Sequence, residues 1–153
     1  MSKVSSAVPP KRAPDAAAFG ARALEGLRIV VVDDDDDARD LLTTVLAQRA
    51  AEVFAAESAS EAFELLKRER PDFLISDIAM PEEDGYTLIK RVRLLNEDEG
   101  GRTPAIAVTA YAGRADRNRA LEAGFDAHYA KPLDIDGLVA RLIEMRAGTA
   151  SEG

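Results

Sequence analysis

The strongest constraint on how this chain folds is the segment 27–37, in which Ile29, Val30, Val31 and Val32 run straight into five aspartates. Four β-branched residues without a polar interruption suit a strand covered on both faces, the environment of a parallel sheet. Asp33 to Asp37 then fall beyond the carboxyl end of that strand, where open α/β sheets bind their ligands. Carboxylates crowded together repel one another unless a cation or protons intervene, so the run points to a bound divalent metal. Taken alone, an acidic run is more often a solvated loop. Whether other strands end in matching chemistry decides between the two.

Beyond this segment, strand and helix patterns alternate. Ala38, Leu41, Leu42, Val45 and Leu46 recur at helical spacing and predict a helix to about Arg49, with acidic residues at its start. Residues 52–55 read as a second strand, and Ser58 with Glu61 as a capping box for a helix that buries Ala62, Leu65 and Leu66. Pro71 stops that helix, and residues 72–76 form a third strand ending at Asp77. A loop over 78–85 leads into a helix with Leu88, Ile89, Val92 and Leu95 on one face. After a polar turn, residues 104–108 make a fourth strand ending at Thr109; a helix follows from about Arg114 to Ala123, with Gly124 as a left-handed cap. Residues 126–130 are a fifth strand ending at Lys131-Pro132, and Asp134 caps a last helix with Ile135, Leu138, Val139, Leu142 and Ile143 inward. This alternation, without an internal repeat, predicts a three-layer α/β/α sandwich whose five-stranded parallel sheet has the order 2-1-3-4-5.

Residues 1–26, rich in Ala, Ser and Pro, read as a flexible leader or linker, with a short helix over 15–24; residues 27–146 read as the folded domain and 147–153 as a disordered tail. The leader carries Lys3, Lys11, Arg12 and Arg22 against Asp15 and Glu25, so the remainder is more acidic than the net charge of −8. Such a surface repels a phosphate backbone, which argues against direct nucleic-acid binding. The absence of cysteine removes disulfides, thiolate nucleophiles and zinc–thiolate sites, and fits a reducing, cytoplasmic setting. No apolar run has the length of a membrane span, so no membrane insertion is expected.

The strands one, three, four and five end in Asp33 and Asp34, Asp77, Thr109, and Lys131. Each residue has an ordinary explanation alone: a turn former, a β-favouring residue, a solvated lysine. In the expected strand order, however, all four ends border one crevice, and together they suit phosphoryl transfer to a carboxylate. That chemistry needs a nucleophilic oxygen, a divalent cation and fixed positive charge. Asp77, alone at a strand end, is the candidate nucleophile. Asp34, with Asp33 behind it, would hold Mg²⁺. Lys131 would pair with Asp77 at rest and with the phosphoryl group afterwards, and Thr109 offers that group a hydroxyl.

The segments Val31-Val32-Asp33-Asp34-Asp35, Ser76-Asp77-Ile78-Ala79-Met80-Pro81 with Asp84-Gly85, Val108-Thr109-Ala110 and Ala130-Lys131-Pro132 resemble the receiver domain of bacterial two-component response regulators. The resemblance covers roughly residues 27–146 and implies a flavodoxin-like fold. It implies phosphorylation of Asp77 by a sensor histidine kinase or a histidine phosphotransfer protein, and a downstream protein target. Asp34, Asp77 and the Ala79 backbone carbonyl would coordinate Mg²⁺, or Mn²⁺ in its place, with Asp33 acting largely through water. Thr109 would be the switch hydroxyl, Ala110 would leave the phosphoryl group accessible, and Lys131-Pro132 would be cis. The protein would be a monomer or a phosphorylation-dependent dimer, a signalling domain rather than an enzyme. It would stand alone or belong to a longer hybrid protein.

Several positions depart from the family pattern. His128, the only histidine, stands where the family usually has Tyr or Phe, and reads as a ring filling that slot or as a pH-sensitive switch. Glu83 stands where an apolar residue is common. Ala79 and Tyr111 flank the expected path of hydrolytic water without a group to orient it, which implies slow autodephosphorylation. Arg114, Arg117 and Arg119 are candidate partner contacts or a solvated basic face. Two rival readings are a haloacid-dehalogenase-like phosphohydrolase built on Asp33 and Asp35, and a pseudo-receiver that binds without phosphorylation. A calcium loop is excluded, because its glycine and terminal glutamate positions are Ala38 and Thr44.

Overall fold

The computed structural model describes residues 20–110 and 113–152. Its centre is a parallel sheet in the order β2-β1-β3-β4-β5, made of β1 (Arg28–Val32), β2 (Glu52–Ala56), β3 (Phe73–Asp77), β4 (Ala105–Thr109) and β5 (Ala127–Ala130). The order and the parallel sense are those read from the sequence. The register places Val32 beside Ser76, Asp77 beside Val108, and Thr109 beside Ala130, so the strands finish almost level at one edge.

Alternation along the strands feeds two cores. Val30, Val32, Leu74, Ala105 and Ala107 face α2 (Ala59–Glu69) and α3 (Gly85–Arg93), together with Ala120 of α4 (Arg114–Ala123). Ile29, Val31, Ile75, Ile106 and Val108 face α1 (Asp36–Gln48) and α5 (Ile135–Glu152). The central strands are buried on both faces, which is why they read as continuous apolar runs.

The helix starts follow local chemistry. Asp35 caps α1, Asp84 caps α3 through the Thr87 N–H at 2.9 Å, and Asp134 accepts the Gly137 N–H at 3.2 Å at the start of α5. At α2, Ser58 accepts the Glu61 N–H at 3.2 Å, but the Glu61 carboxylate reaches the Glu57 N–H at 2.9 Å, one residue before the cap. One side chain invisible to periodicity staples the opposite end of the sheet. Arg93 donates to the carbonyls of Gly101, Thr103 and Gly124 and pairs with Asp126 at 3.1 Å.

Three expectations need correction. Residues 20–26 are not a leader: they form turns in which Leu24 is fully buried and its N–H donates to the Arg49 carbonyl at 2.8 Å. The apolar Leu24 and Leu27 close the amino end of the core beneath α1 and α5. Of the short helix expected over 15–24, residues 15–19 lie outside those described and residues 20–24 form a bend and turns rather than helix. At the other end α5 continues to Glu152, through the stretch expected to be disordered, with no proline after Pro132 to stop it. Leu41, counted in the apolar repeat of α1, is 62% exposed. Among the described residues no helix is long and apolar enough to cross a membrane.

If residues 20–26 are part of the domain, Leu24→Ala should cost about 2–5 kcal/mol, as truncation of a buried leucine does. Urea denaturation of the two proteins checks this, and equal midpoints would show that the turn adds nothing to the core.

Candidate functional site

The five aspartates after β1 divide by role. Asp33 is buried, and its N–H donates to the Ala56 carbonyl at 3.2 Å, extending the β1–β2 ladder one step. Its Oδ1 accepts the Asp35 N–H at 2.9 Å. Asp35 is consumed as the α1 cap, accepting the N–H groups of Asp37 at 3.0 Å and Ala38 at 3.4 Å. Asp36 pairs with Arg39 at 2.5 Å. Asp34 is exposed, and carboxylate oxygens of Asp33, Asp34 and Asp77 all lie within 4.8 Å of one another. Because Asp35 is tied to the helix start, the pair Asp33 and Asp35 does not form the centre a haloacid-dehalogenase-like site would need.

Asp77 is the last residue of β3 and is only 8% exposed. Its Oδ1 accepts the N–H groups of Ile78 at 2.7 Å and Ala79 at 3.3 Å. The loop that follows is pressed against α3. Gly85 donates its N–H to the Ile78 carbonyl at 2.9 Å, and a Cβ at Gly85 would stand 2.5 Å from the Asp77 carbonyl oxygen. Only glycine permits that approach. Glu83, the departure noted above, has a use: both its oxygens accept from Arg91 at 2.9 and 3.0 Å, and Arg91 stacks 4.2 Å from the Phe63 ring centroid. This ion pair ties the loop to α2 and α3.

Lys131 joins the two acidic strand ends. Its backbone N–H donates to the Thr109 carbonyl at 2.9 Å, the Lys131-Pro132 bond is cis, and Nζ donates to Asp33 Oδ2 at 2.9 Å and Asp77 Oδ2 at 3.2 Å. The expected partner was Asp77; the nearer one is Asp33. Burial and repulsion from Asp33 raise the Asp77 pKa above the usual carboxylate value, although Lys131 pulls it down. Burial alone would lower the Lys131 pKa, but its hydrogen bond to Asp33 and the charge of Asp77 leave it raised, so the ammonium stays charged.

Thr109 is fully buried at the end of β4, beside Ala130. His128 is half-buried, in register with Ala107 on the α4 side of the sheet, and its buried Nε2 has no hydrogen-bond partner among the described residues. Arg114, Arg117 and Arg119 are exposed on α4, and Arg119 also packs 4.0 Å from the Tyr86 ring centroid, linking α4 to α3. Tyr111 lies outside the described residues. Arg39 and Arg93 were missed by pattern reading; neither lies in a motif, and only the fold brings them to backbone carbonyls.

The donor set fits a hard divalent cation, which favours carboxylate and carbonyl oxygens. Three acidic side chains converge while one ammonium offsets part of their charge. Since burial raises the Asp77 pKa on folding, the proton-bound form favours the folded state. That stability is present at low pH and is lost as pH rises through the folded value. Asp77→Asn should therefore raise the melting temperature of the metal-free protein at neutral pH, with the gain fading toward about pH 4. Thermal melts at both pH values check this, and a loss of stability at neutral pH would contradict it.

Known proteins are similar to this chain in sequence and in fold. The family model for the response regulator receiver domain matches residues 29–143. An uncharacterized 14.6 kDa protein from the sodA1 3′ region of Leptolyngbya boryana is 50% identical over 111 residues, which cover 72% of this chain and 83% of that protein. Other curated relatives are longer: the match to the virulence transcriptional regulatory protein PhoP of Salmonella typhimurium, 34% identical, covers 82% of this chain and 56% of PhoP. Among solved structures, a CheY-like response regulator receiver domain protein of Methanospirillum hungatei JF-1 has a TM-score of 0.75 at 28% identity, covering 83% of this chain and 98% of that one. The receiver domain of the Arabidopsis thaliana histidine kinase CKI1, complexed with Mg²⁺ and BeF₃⁻, has a TM-score of 0.70 at 32% identity, covering 82% and 94%. The level strand ends, the carboxylate cluster and the matched span make one conclusion: the chain belongs to the receiver domain family of two-component response regulators.

Proposed function

We propose that Asp77 accepts a phosphoryl group from a phosphohistidine on a sensor histidine kinase or histidine phosphotransfer protein, and that this event changes contacts with a downstream protein. The observation that carries the reading is the single ammonium of Lys131 bridging Asp33 and Asp77 at the joined ends of β1, β3 and β5. In the transfer, an Asp77 oxygen bonds to phosphorus as the phosphorus–nitrogen bond breaks, and the departing imidazole keeps the bonding pair. Lys131 exchanges its bond to Asp77 for one to a phosphoryl oxygen. The Thr109 hydroxyl turns toward another, and exposed Ala110 leaves the approach open. Mg²⁺, or Mn²⁺ in its place, would be held by Asp33, Asp34, Asp77 and the Ala79 carbonyl and would neutralise the phosphoryl oxygens; the CKI1 receiver domain carries Mg²⁺ with BeF₃⁻.

Phosphorylation then biases a two-state equilibrium through β4 and β5, with Thr109 and His128 as the switch pair. The output is a changed surface on α4, β5 and α5, where Arg114 and Arg117 are exposed. The protein works as a signalling domain in the cytoplasm, as a monomer or a phosphorylation-dependent dimer, without direct nucleic-acid contact or membrane insertion. It does not turn over a separate substrate. Ala79 presents no group that orients hydrolytic water, so the aspartyl phosphate persists.

Intact mass spectrometry after incubation with acetyl phosphate and Mg²⁺ tests this reading. The wild type should gain one phosphoryl group and Asp77→Asn none. After removal of acetyl phosphate, Ala79→Asn should lose the group roughly tenfold faster than the wild type, as a positioned water is activated. Phosphorylation of Asp77→Asn to the same extent would refute the assignment of the acceptor.

A further inference from the structure

We propose that Arg39 is a positioning residue for the divalent-cation site, holding the acidic loop after β1 in the conformation that presents Asp33 and Asp34. The inference rests on the reading of Asp33, Asp34 and Asp77 as that site. Arg39 lies near the start of α1 with its side chain only 11% exposed. Nη1 donates to the Asp33 carbonyl at 2.7 Å and Nη2 to the Asp36 carboxylate at 2.5 Å. A planar guanidinium makes both bonds at once from one rigid fork, which a lysine ammonium on a flexible stem reproduces poorly.

With these contacts, every polar group of Asp33 has a partner. Its N–H donates to Ala56, its carbonyl accepts from Arg39, and its carboxylate oxygens accept from the Asp35 N–H and Lys131. When Lys131 turns to a phosphoryl group it gives up its bond to Asp77. The Arg39 bond acts on the backbone and survives that change. It also counters a specific hazard, because five successive aspartates repel one another and favour a splayed loop. Arg39 neutralises one of them, Asp36, and fixes the backbone of another.

Charge and positioning give opposite expectations for metal binding. A cation beside the site repels a divalent ion, so if Arg39 acted only through its charge, removing it would tighten binding. If it positions the loop, removing it weakens binding. Calorimetric titration of Mg²⁺ into metal-stripped wild type, Arg39→Lys and Arg39→Gln, each well below its own melting temperature, separates the two. The expected result is a Kd roughly tenfold or more weaker for Arg39→Gln, the usual cost of losing an outer partner of a metal site, with Arg39→Lys in between. An unchanged or tighter Kd for Arg39→Gln overturns the proposal. If that variant does not fold, Arg39→Lys decides: it keeps the charge but loses the fork, and wild-type affinity would overturn the proposal. A wild type that binds no Mg²⁺ would instead overturn the reading of the carboxylate cluster on which the proposal rests.

Discussion

The structure depends on one shared ammonium. Lys131 stands 2.9 Å from Asp33 and 3.2 Å from Asp77, and both carboxylates are largely withdrawn from water. Two such anions at one sheet edge repel each other strongly unless a positive charge lies between them. The lysine makes the pair tolerable at rest, while burial still leaves Asp77 with a raised pKa. Three carboxylates against one ammonium leave net anionic charge at the centre, which suits a hard divalent ion.

The fold brings these groups together by register rather than by neighbouring sequence. Asp33, Asp77 and Lys131 are far apart in the chain, yet the parallel pairing of β1 with β3, β3 with β4, and β4 with β5 brings their strand ends level. Each end is then fixed locally. Asp35 caps α1, Gly85 lets the loop after Asp77 touch α3, and the Lys131 N–H bonds to Thr109. That last bond links the charged centre directly to the end of β4, so a displacement of Lys131 or Thr109 is felt by the neighbouring strand. Helix α4 contributes one buried residue, Ala120, to the core.

Much of this was legible in the sequence because apolar runs and single polar residues at strand ends are local signals. Ile29 to Val32 announced a strand buried on both faces, and Asp77, Thr109 and Lys131 marked where strands stop. The boundary at Leu27 was misplaced because composition dominated the reading of residues 1–26. Leu24 is a lone apolar residue among turns, and its burial depends on the packing of α1 and α5. Arg39 and Arg93 were invisible for a related reason. An arginine at helical spacing looks like a solvated side chain, and nothing local shows which distant carbonyls it will meet. Glu83 looked like a departure from pattern, and its partner Arg91 becomes apparent only once the loop folds back on α3.

The most direct measurement is a crystal structure of the protein with Mg²⁺ and beryllofluoride. The expected result is beryllium bound to an Asp77 oxygen and Mg²⁺ in contact with Asp34 and Asp77. Lys131 Nζ would have moved from Asp77 to a fluoride, and the Thr109 hydroxyl would have turned toward another. Beryllofluoride on a different residue, or a centre in which Lys131 still bridges Asp33 and Asp77 with no cation beside them, would contradict the proposal that this carboxylate cluster is the phosphoryl-accepting site.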